Sequence, residues 1–254
     1  MPTQTIADPT IPSFARRFAN TQRTDQYTEE DHEVWRILFA RRMSELESTG
    51  SRAFLDGAGW IGLTSSSVPD LASVNERLAA RTGWRALPVD GFIEASDFFR
   101  CLSIRLFPTT VIVRSMSQLD YLPEPDIFHD VFGHVPLHAH PSFARFLQTF
   151  GEVASLASNP EEVQQMARLF WFTVEFGLVR EDGETRIYGS GLISSAGDAA
   201  NALSESCERR PFELDDVIRQ DFEIDRLQDV LFVADNFDQI ADAVETMRGR
   251  LGGA

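Results

Sequence analysis

Two of the chain's five histidines lie five residues apart in one stretch, YLPEPDIFHDVFGHVP, as His129 and His134. Neutral imidazole is the commonest protein ligand for a functional metal, so the pair is the first candidate for chemistry. The spacing is His-x4-His rather than the His-Glu-x-x-His of a zinc protease helix. Five residues turn an ideal α-helix through about 500°, which leaves the two rings about 140° apart. They converge only if the helix ends or bends between them, and Gly133 and Pro136 are the residues expected to do that. A third ligand candidate is Glu175, one carboxylate among the apolar or small residues of LFWFTVEFGLV. An ionised carboxylate there costs several kcal/mol unless it is paired or bound to a cation. A buried ion pair with an arginine is the alternative.

Taken together, two His and one carboxylate form the facial triad of non-haem Fe(II) oxygenases, which leaves positions open for oxygen and substrate. The same ligand types also hold catalytic zinc, for which Asp130 would be the nearby general base. Ligand chemistry alone leaves iron and zinc open. Arg114 could clamp a substrate carboxylate bidentately or serve in a structural ion pair. Trp171, Phe172, Phe176, Phe128, Phe132, Phe98 and Phe107 make the region aromatic, although with 20 Phe in the chain most must be plain core. Glu124 and Asp126 could orient a ligand histidine or cap the helix. His138 and His140 follow Pro136 in a polar turn and are expected to be exposed and not to be ligands.

The elements that must position these groups read as mainly α with a few short strands, in a single catalytic domain over residues 28–254. Residues 1–27 are polar, lack a period and read as an N-terminal arm. A helical stripe covers 28–48, with acids in its first turn. The Gly-rich residues 50–62 read as a loop. Val68-Pro69-Asp70 opens a second helix that Gly83 closes. SDFFRCL is a short helix, and 103–107 and 110–114 are two strands separated by Pro108. Residues 141–157 are helical by period. Asn159-Pro160-Glu161-Glu162 caps a helix expected to run through Leu178. Residues 179–188 form a hairpin about Asp182-Gly183. GSGLISSAGDAANAL is a loop entering a helix, 222–233 has strand-like pieces, and 235–251 is a terminal amphipathic helix.

Composition narrows the partners. The net charge is −16 and no lysine is present, which argues against nucleic acid or an anionic membrane as partner. The two cysteines, Cys101 and Cys207, are far apart and read as buried free thiols, not as a disulfide or metal scaffold. The first residues lack a signal-peptide pattern, and no apolar run approaches the roughly 20 residues of a membrane span. A cytoplasmic setting is expected.

YLPEPDIFHDVFGHVPL, then WFTVEFGLV and YGSGLISSAGD, closely resemble the motifs of the pterin-dependent aromatic amino acid hydroxylases. They are most similar to the single-domain bacterial phenylalanine 4-hydroxylase branch. The motif-bearing part runs from about residue 82 to the terminal helix, and the first ~30 residues carry none of it. The resemblance implies a monooxygenase that uses Fe(II), a tetrahydropterin such as tetrahydrobiopterin, and O2 to convert L-phenylalanine to L-tyrosine. By motif, the iron ligands are His129, His134 and Glu175. Arg114 matches the substrate-carboxylate arginine, and Ser194 a serine that helps hold that carboxylate and a ligand histidine. Trp171 matches the ring lining the amino acid pocket, and Phe176 and Gly191 the pattern of para-hydroxylating members. Gly91, Phe92, Ile93, Ala95 and Phe98 match the pterin loop, with Phe98 as the stacking ring. Asp130 stands where animal members carry Glu. Pro108 stands where some members have a His near the pterin.

An apolar Ile224 on the active-site loop fits Phe, whereas tyrosine hydroxylases are acidic there. The resemblance also implies a monomer, supplied with reduced pterin by recycling enzymes. The alternatives are a hydroxylase of Trp or Tyr, meta-hydroxylation of Phe, a zinc hydrolase on the same triad, and a metal-binding relic.

Overall fold

The computed structural model describes residues 11–252 apart from Phe92, Tyr121 and Pro123. Eleven α-helices and six short strands are present among the described residues. The first helices stand where their caps put them. α1 (Glu29–Thr49) begins at a capping box between Thr28 and Asp31. α2 (Arg52–Ile61) is capped by Ser51, and α3 (Leu71–Thr82) by Asp70, with Gly83 in the left-handed conformation at its end. β1 (Arg85–Val89), α4 (Ala95–Ser103) and β2 (Leu106–Thr110) follow. A wide-turn segment, Phe128–His134, continues directly into α5 (Val135–His138) and is followed by α6 (Pro141–Ala154).

α7 (Pro160–Phe170), capped by Asn159, runs into a second wide-turn segment, Trp171–Glu175. Then come β3 (Leu178–Glu181), β4 (Glu184–Ile187), α8 (Ser190–Ser194), α9 (Ala196–Leu203), β5 (Glu208–Pro211), α10 (Leu214–Val217), β6 (Val230–Ala234) and α11 (Phe237–Leu251).

β1 and β2 pair in parallel, Arg85 opposite Leu106. β3 and β4 form the expected hairpin, turning at Asp182 and Gly183, both at positive φ. With β6 and β5 they make a four-stranded sheet in the order β4-β3-β6-β5. Most of the large side chains lie in one core. At its centre Phe128 and Phe132 stack at 4.6 Å, and Trp35 and Phe54 meet Phe132 edge-on at 6.5 and 5.5 Å. No described helix is long and apolar enough to cross a membrane.

Four expectations fail for physical reasons. Residues 50–62 are not a loop: α2 tolerates glycine inside a helix because it must lie against α5. A Cβ on Gly57 would sit 2.0 Å from the carbonyl oxygen of Pro136. Pro108 does not separate two strands but sits inside β2. β2 is an edge strand paired only with β1, the kind of position where a proline is tolerated. Residues 111–114 are then irregular, and β1 went unread because Pro88 interrupts it. The helical run does not reach Leu178: α7 ends at Phe170 and the wide-turn segment after it at Glu175, because Leu178 is already paired with Ile187 and Val233.

Residues 11–19 pack on the domain as a small second core. Ile11, Ala15 and Ala19 lie against Leu87, Val89, Cys101 and Leu106. Cys101 and Cys207 are both free and buried, and burial pushes the Cys101 thiol up to about 12.

Gly57→Ala forces α2 away from Pro136. Overpacking of this kind costs about 1–3 kcal/mol, so the melting temperature should fall by several degrees. A melting curve equal to the parent's would show that α2 is free to back away.

Candidate metal centre and substrate cavity

The histidine pair converges without any helix break. Across Phe128–His134 the backbone follows an i→i+5 pattern, a wider turn than the α-helix, and it runs on through Pro136. Residues five apart then come to nearly the same face. His129 Nε2 and His134 Nε2 stand 3.2 Å apart with the rings almost perpendicular, at 87°. Gly133 is there for another reason. A Cβ on it would meet the Ser190 carbonyl oxygen at 3.0 Å, so glycine lets α8 lie close against the ligand segment.

Glu175 ends the second wide-turn segment and reaches the pair. Its Oε1 is 3.3 Å from His134 Nε2 and its Oε2 is 3.8 Å from His129 Nε2. Ligand atoms of His129, His134 and Glu175 all lie within 4.8 Å of one another, the one such His/Cys/Asp/Glu group among the described residues.

α8 holds two of these side chains. Ser190 Oγ donates to Glu175 Oε2 at 2.7 Å, and Ser194 Oγ lies 2.9 Å from His129 Nδ1. Ser194 spends its only proton on the Ser190 carbonyl at 2.8 Å, so it must accept from His129 Nδ1–H. That fixes the tautomer and leaves the Nε2 lone pair facing the other donors. Burial by itself would raise the Glu175 carboxyl, but His134 and His129 beside it and the Ser190 hydroxyl hold it down at about 2. Burial pushes His129 down, toward the neutral ligand form. Two imidazoles and one carboxylate on one side of a cavity suit an open, divalent metal site.

Asp126 ties the metal group to the arginine. Its side chain is fully buried, and it accepts from Arg114 Nε at 2.9 Å and Nη2 at 2.9 Å. It also accepts from the backbone N–H of Arg114 at 3.1 Å and of His129 at 3.0 Å. Burial would raise this carboxyl, but the Arg114 guanidinium and the two N–H groups hold it below its ordinary range. Asp126 therefore caps the ligand segment and also clamps Arg114. Asp130 is turned away from the donors: one of its oxygens accepts from Thr110 N at 2.7 Å and Thr110 Oγ1 at 2.8 Å. A base so occupied gives the hydrolase alternative little support.

A cavity of about 640 Å³ opens beside the metal group. Arg114, Trp171, Phe176, Gly191 and Ser194, the residues expected to bind substrate, all line it with His129 and Glu175. The Trp171 ring is stacked between Phe176 at 4.7 Å and Phe222 at 4.4 Å. Ile224, 81% exposed, stands on the rim.

The expected pterin loop is not part of this lining. Gly91 and Ile93 are half-buried, Ala95 starts α4, and Phe92 lies outside the described residues. Phe98 packs edge-on against Phe107, whose ring is 4.7 Å from that of His134.

His138 is not exposed as expected. It is 1% accessible and lies flat on Trp84 at 4.6 Å, and burial pushes its imidazole well down. His140 is half-buried, beside Phe237. Neither joins the donor group. Ser190 and the second role of Asp126 were missed, yet a signal existed for Ser190. Serines four apart, as Ser190 and Ser194 are, share one helix face.

Residues 10–251 match the family described as biopterin-dependent aromatic amino acid hydroxylase. The match includes most of the first 30 residues, where no resemblance was expected. The chain is 40% identical over 227 residues to a phenylalanine-4-hydroxylase of Ralstonia nicotianae, covering 89% of this chain and 72% of that one. It is 35% identical over 230 residues to tyrosine 3-monooxygenase of Rattus norvegicus, covering 89% of this chain and 46% of that one. A crystal structure of Chromobacterium violaceum phenylalanine hydroxylase with bound iron(III) and oxidised 7,8-dihydrobiopterin superposes with a TM-score of 0.87. It has 39% identity and covers 93% of this chain and 87% of that one.

If the two hydroxyls of α8 hold the ligands, Ser190→Ala and Ser194→Ala should each weaken cobalt(II) binding roughly 10–100-fold, measured by titration, with helix content unchanged. Parental affinity in both would mean that the ligands are held without them.

Proposed function

Because the chain belongs to the biopterin-dependent aromatic amino acid hydroxylase family, we propose that it is a monooxygenase that converts L-phenylalanine to L-tyrosine with O2, using Fe(II) and a tetrahydropterin. The observation that carries this reading is the shared cavity: His129 and Glu175, two of the three grouped donors, line the same space as the part-buried Arg114 and an aromatic wall, with His134 behind them. When bound at this site, a tetrahydropterin would supply the two electrons that reduce O2, and iron held by His129, His134 and Glu175 would supply the oxygen-activating chemistry by which one oxygen atom of O2 reaches the ring.

The remaining work falls to the chain's own side chains. Asp126 occupies one edge of the Arg114 guanidinium, which leaves other N–H groups for the carboxylate of the amino acid. That contact orients the substrate, and Trp171 and Phe176 offer its ring an apolar wall. Ser194 keeps His129 in the tautomer whose Nε2 is free to bind metal, and Ser190 keeps Glu175 in place. The low-lying Glu175 carboxyl stays charged throughout the neutral range, as a ligand to a cation must. The apolar wall keeps water from the reacting ring.

Phe176 and Gly191 along one side, with an apolar Ile224 at the rim, support Phe and attack at the para carbon. Gly91, Phe92, Ile93, Ala95 and Phe98 belong to the reading as pterin residues on motif grounds. So do residues 28–254 as one catalytic domain preceded by an arm, action as a monomer, and resupply of reduced pterin by separate enzymes. A cytoplasmic setting is supported by the two unpaired cysteines.

The test is product analysis. Protein loaded anaerobically with Fe(II) is given tetrahydropterin, air and equal Phe, Tyr and Trp. Para-tyrosine that requires both iron and pterin is expected. Hydroxylated Trp or meta-tyrosine as the main product would overturn the substrate assignment, and no hydroxylation at all would overturn the reaction class. In the same assay Asp126→Asn should lower kcat/KM for Phe roughly 10–100-fold, mostly through KM, as loss of a charged hydrogen-bond partner of Arg114 requires. A fall in kcat at unchanged KM would contradict the clamp.

A further inference from the structure

The loop between α10 and β6, residues 218–229, carries Ile224 over the cavity and Phe222 onto Trp171. It has no regular secondary structure beyond a few turns, and between 219 and 229 its apolar anchor is the half-buried Phe222, which packs on Trp171 and Phe172. Within those eleven positions the one buried side chain is Gln228, at 7% exposure. A buried amide must find partners, and every polar atom of this one does. Its Oε1 accepts from Trp171 Nε1 at 3.3 Å, and its Nε2 donates to the carbonyls of Glu223 at 2.7 Å and Arg226 at 2.8 Å. The amide can face only one way, since the indole only donates and the carbonyls only accept. The Gln228 carbonyl in turn accepts from Asn201 Nδ2 on α9 at 2.8 Å.

The near end of the loop is strapped to α7. Arg168 donates to the Ile218 carbonyl at 3.1 Å and to Asp221 Oδ1 at 2.5 Å. Both ends of the loop are thus referred to the helix that leads into Trp171 and Glu175.

We propose that Gln228 is a positioning residue that sets the substrate selectivity of the cavity, by locking the loop that bears Ile224 to the indole of Trp171. This rests on the hydroxylase reading above. An apolar pocket separates ring systems by shape alone, and shape selects only as far as the walls hold still. With the knot intact, the distance between Ile224 and Trp171 is fixed. With it cut, the rim can move outward and admit an indole more easily than before. Gln228 does this without touching substrate.

Three proteins test it: the parent, Gln228→Met and Gln228→Glu. Met keeps the length and removes the side chain's hydrogen bonds to Trp171, Glu223 and Arg226. Glu keeps an acceptor for the indole, loses both donors and sets a charge against two carbonyls. The ratio of kcat/KM for Phe to that for Trp should fall roughly tenfold in each, within the range that wall shape controls in apolar pockets, and at least as far in Glu as in Met. Hydrogen exchange should quicken at the amides of 219–229 and stay parental across 160–175.

A purely structural glutamine would lower both kcat/KM values together and leave their ratio within twofold of the parent's, which would overturn the proposal. Unchanged exchange in the loop would do the same. If both variants fail to fold, Asn201→Ala releases the Gln228 backbone from α9 and should shift the ratio in the same direction. A parental ratio there counts against the proposal. If the parent itself hydroxylates neither amino acid, the hydroxylase reading fails, and the exchange measurement still decides whether Gln228 locks the loop.

Discussion

The site depends on a backbone constraint: two segments of the chain must leave the α-helical repeat for a wider i→i+5 turn. In an α-helix His129 and His134 would point well apart. In the wider turn they share a face, and Glu175, at the end of the second such segment, completes the group. Turns of this kind are rare and tend to occur at functional sites, because surrounding structure has to hold them. Here α8 does much of the holding. Gly133 lets it approach, and its serines bond one ligand from each segment.

Charge and position are arranged by the same few residues. Asp126 accepts four hydrogen bonds, two from the Arg114 guanidinium and two from backbone N–H groups, one of them that of His129. The arginine proposed to meet an amino acid carboxylate is therefore registered against the start of the ligand segment. Removing either partner would strand the other charge in a buried place. Arg42 adds a tie from α1. Its buried guanidinium donates to the carbonyls of Ile193 at 2.8 Å and Leu192 at 3.1 Å, next to Ser194.

Much of this was legible in the chain. The caps at Thr28, Asp70 and Asn159 and the Asp182-Gly183 turn stand where their local chemistry put them. The three side chains that the fold groups as potential metal ligands were legible because His and Glu are conspicuous in apolar runs. The parts that were not legible are those in which tertiary contact overrides local preference. α2 holds glycines that a helix disfavours, because Pro136 leaves no room for a side chain at Gly57. β2 holds a proline because it is paired on one side. His138 follows a proline in a polar run, yet Trp84 and Phe107 bury it. The wide turn itself has no local signature, and Gly133 pointed to a helix end that does not exist.

The central claim is that His129, His134 and Glu175 together bind one metal ion through the atoms that the two wide turns bring together. Its most direct test is diffraction from crystals of the iron-loaded protein, collected on both sides of the iron absorption edge. The account predicts one anomalous peak per chain, within about 2.0–2.2 Å of His129 Nε2, His134 Nε2 and a Glu175 carboxylate oxygen, distances usual for first-row metals on these donors. A peak elsewhere, or one ligated by His138 or His140, would contradict it.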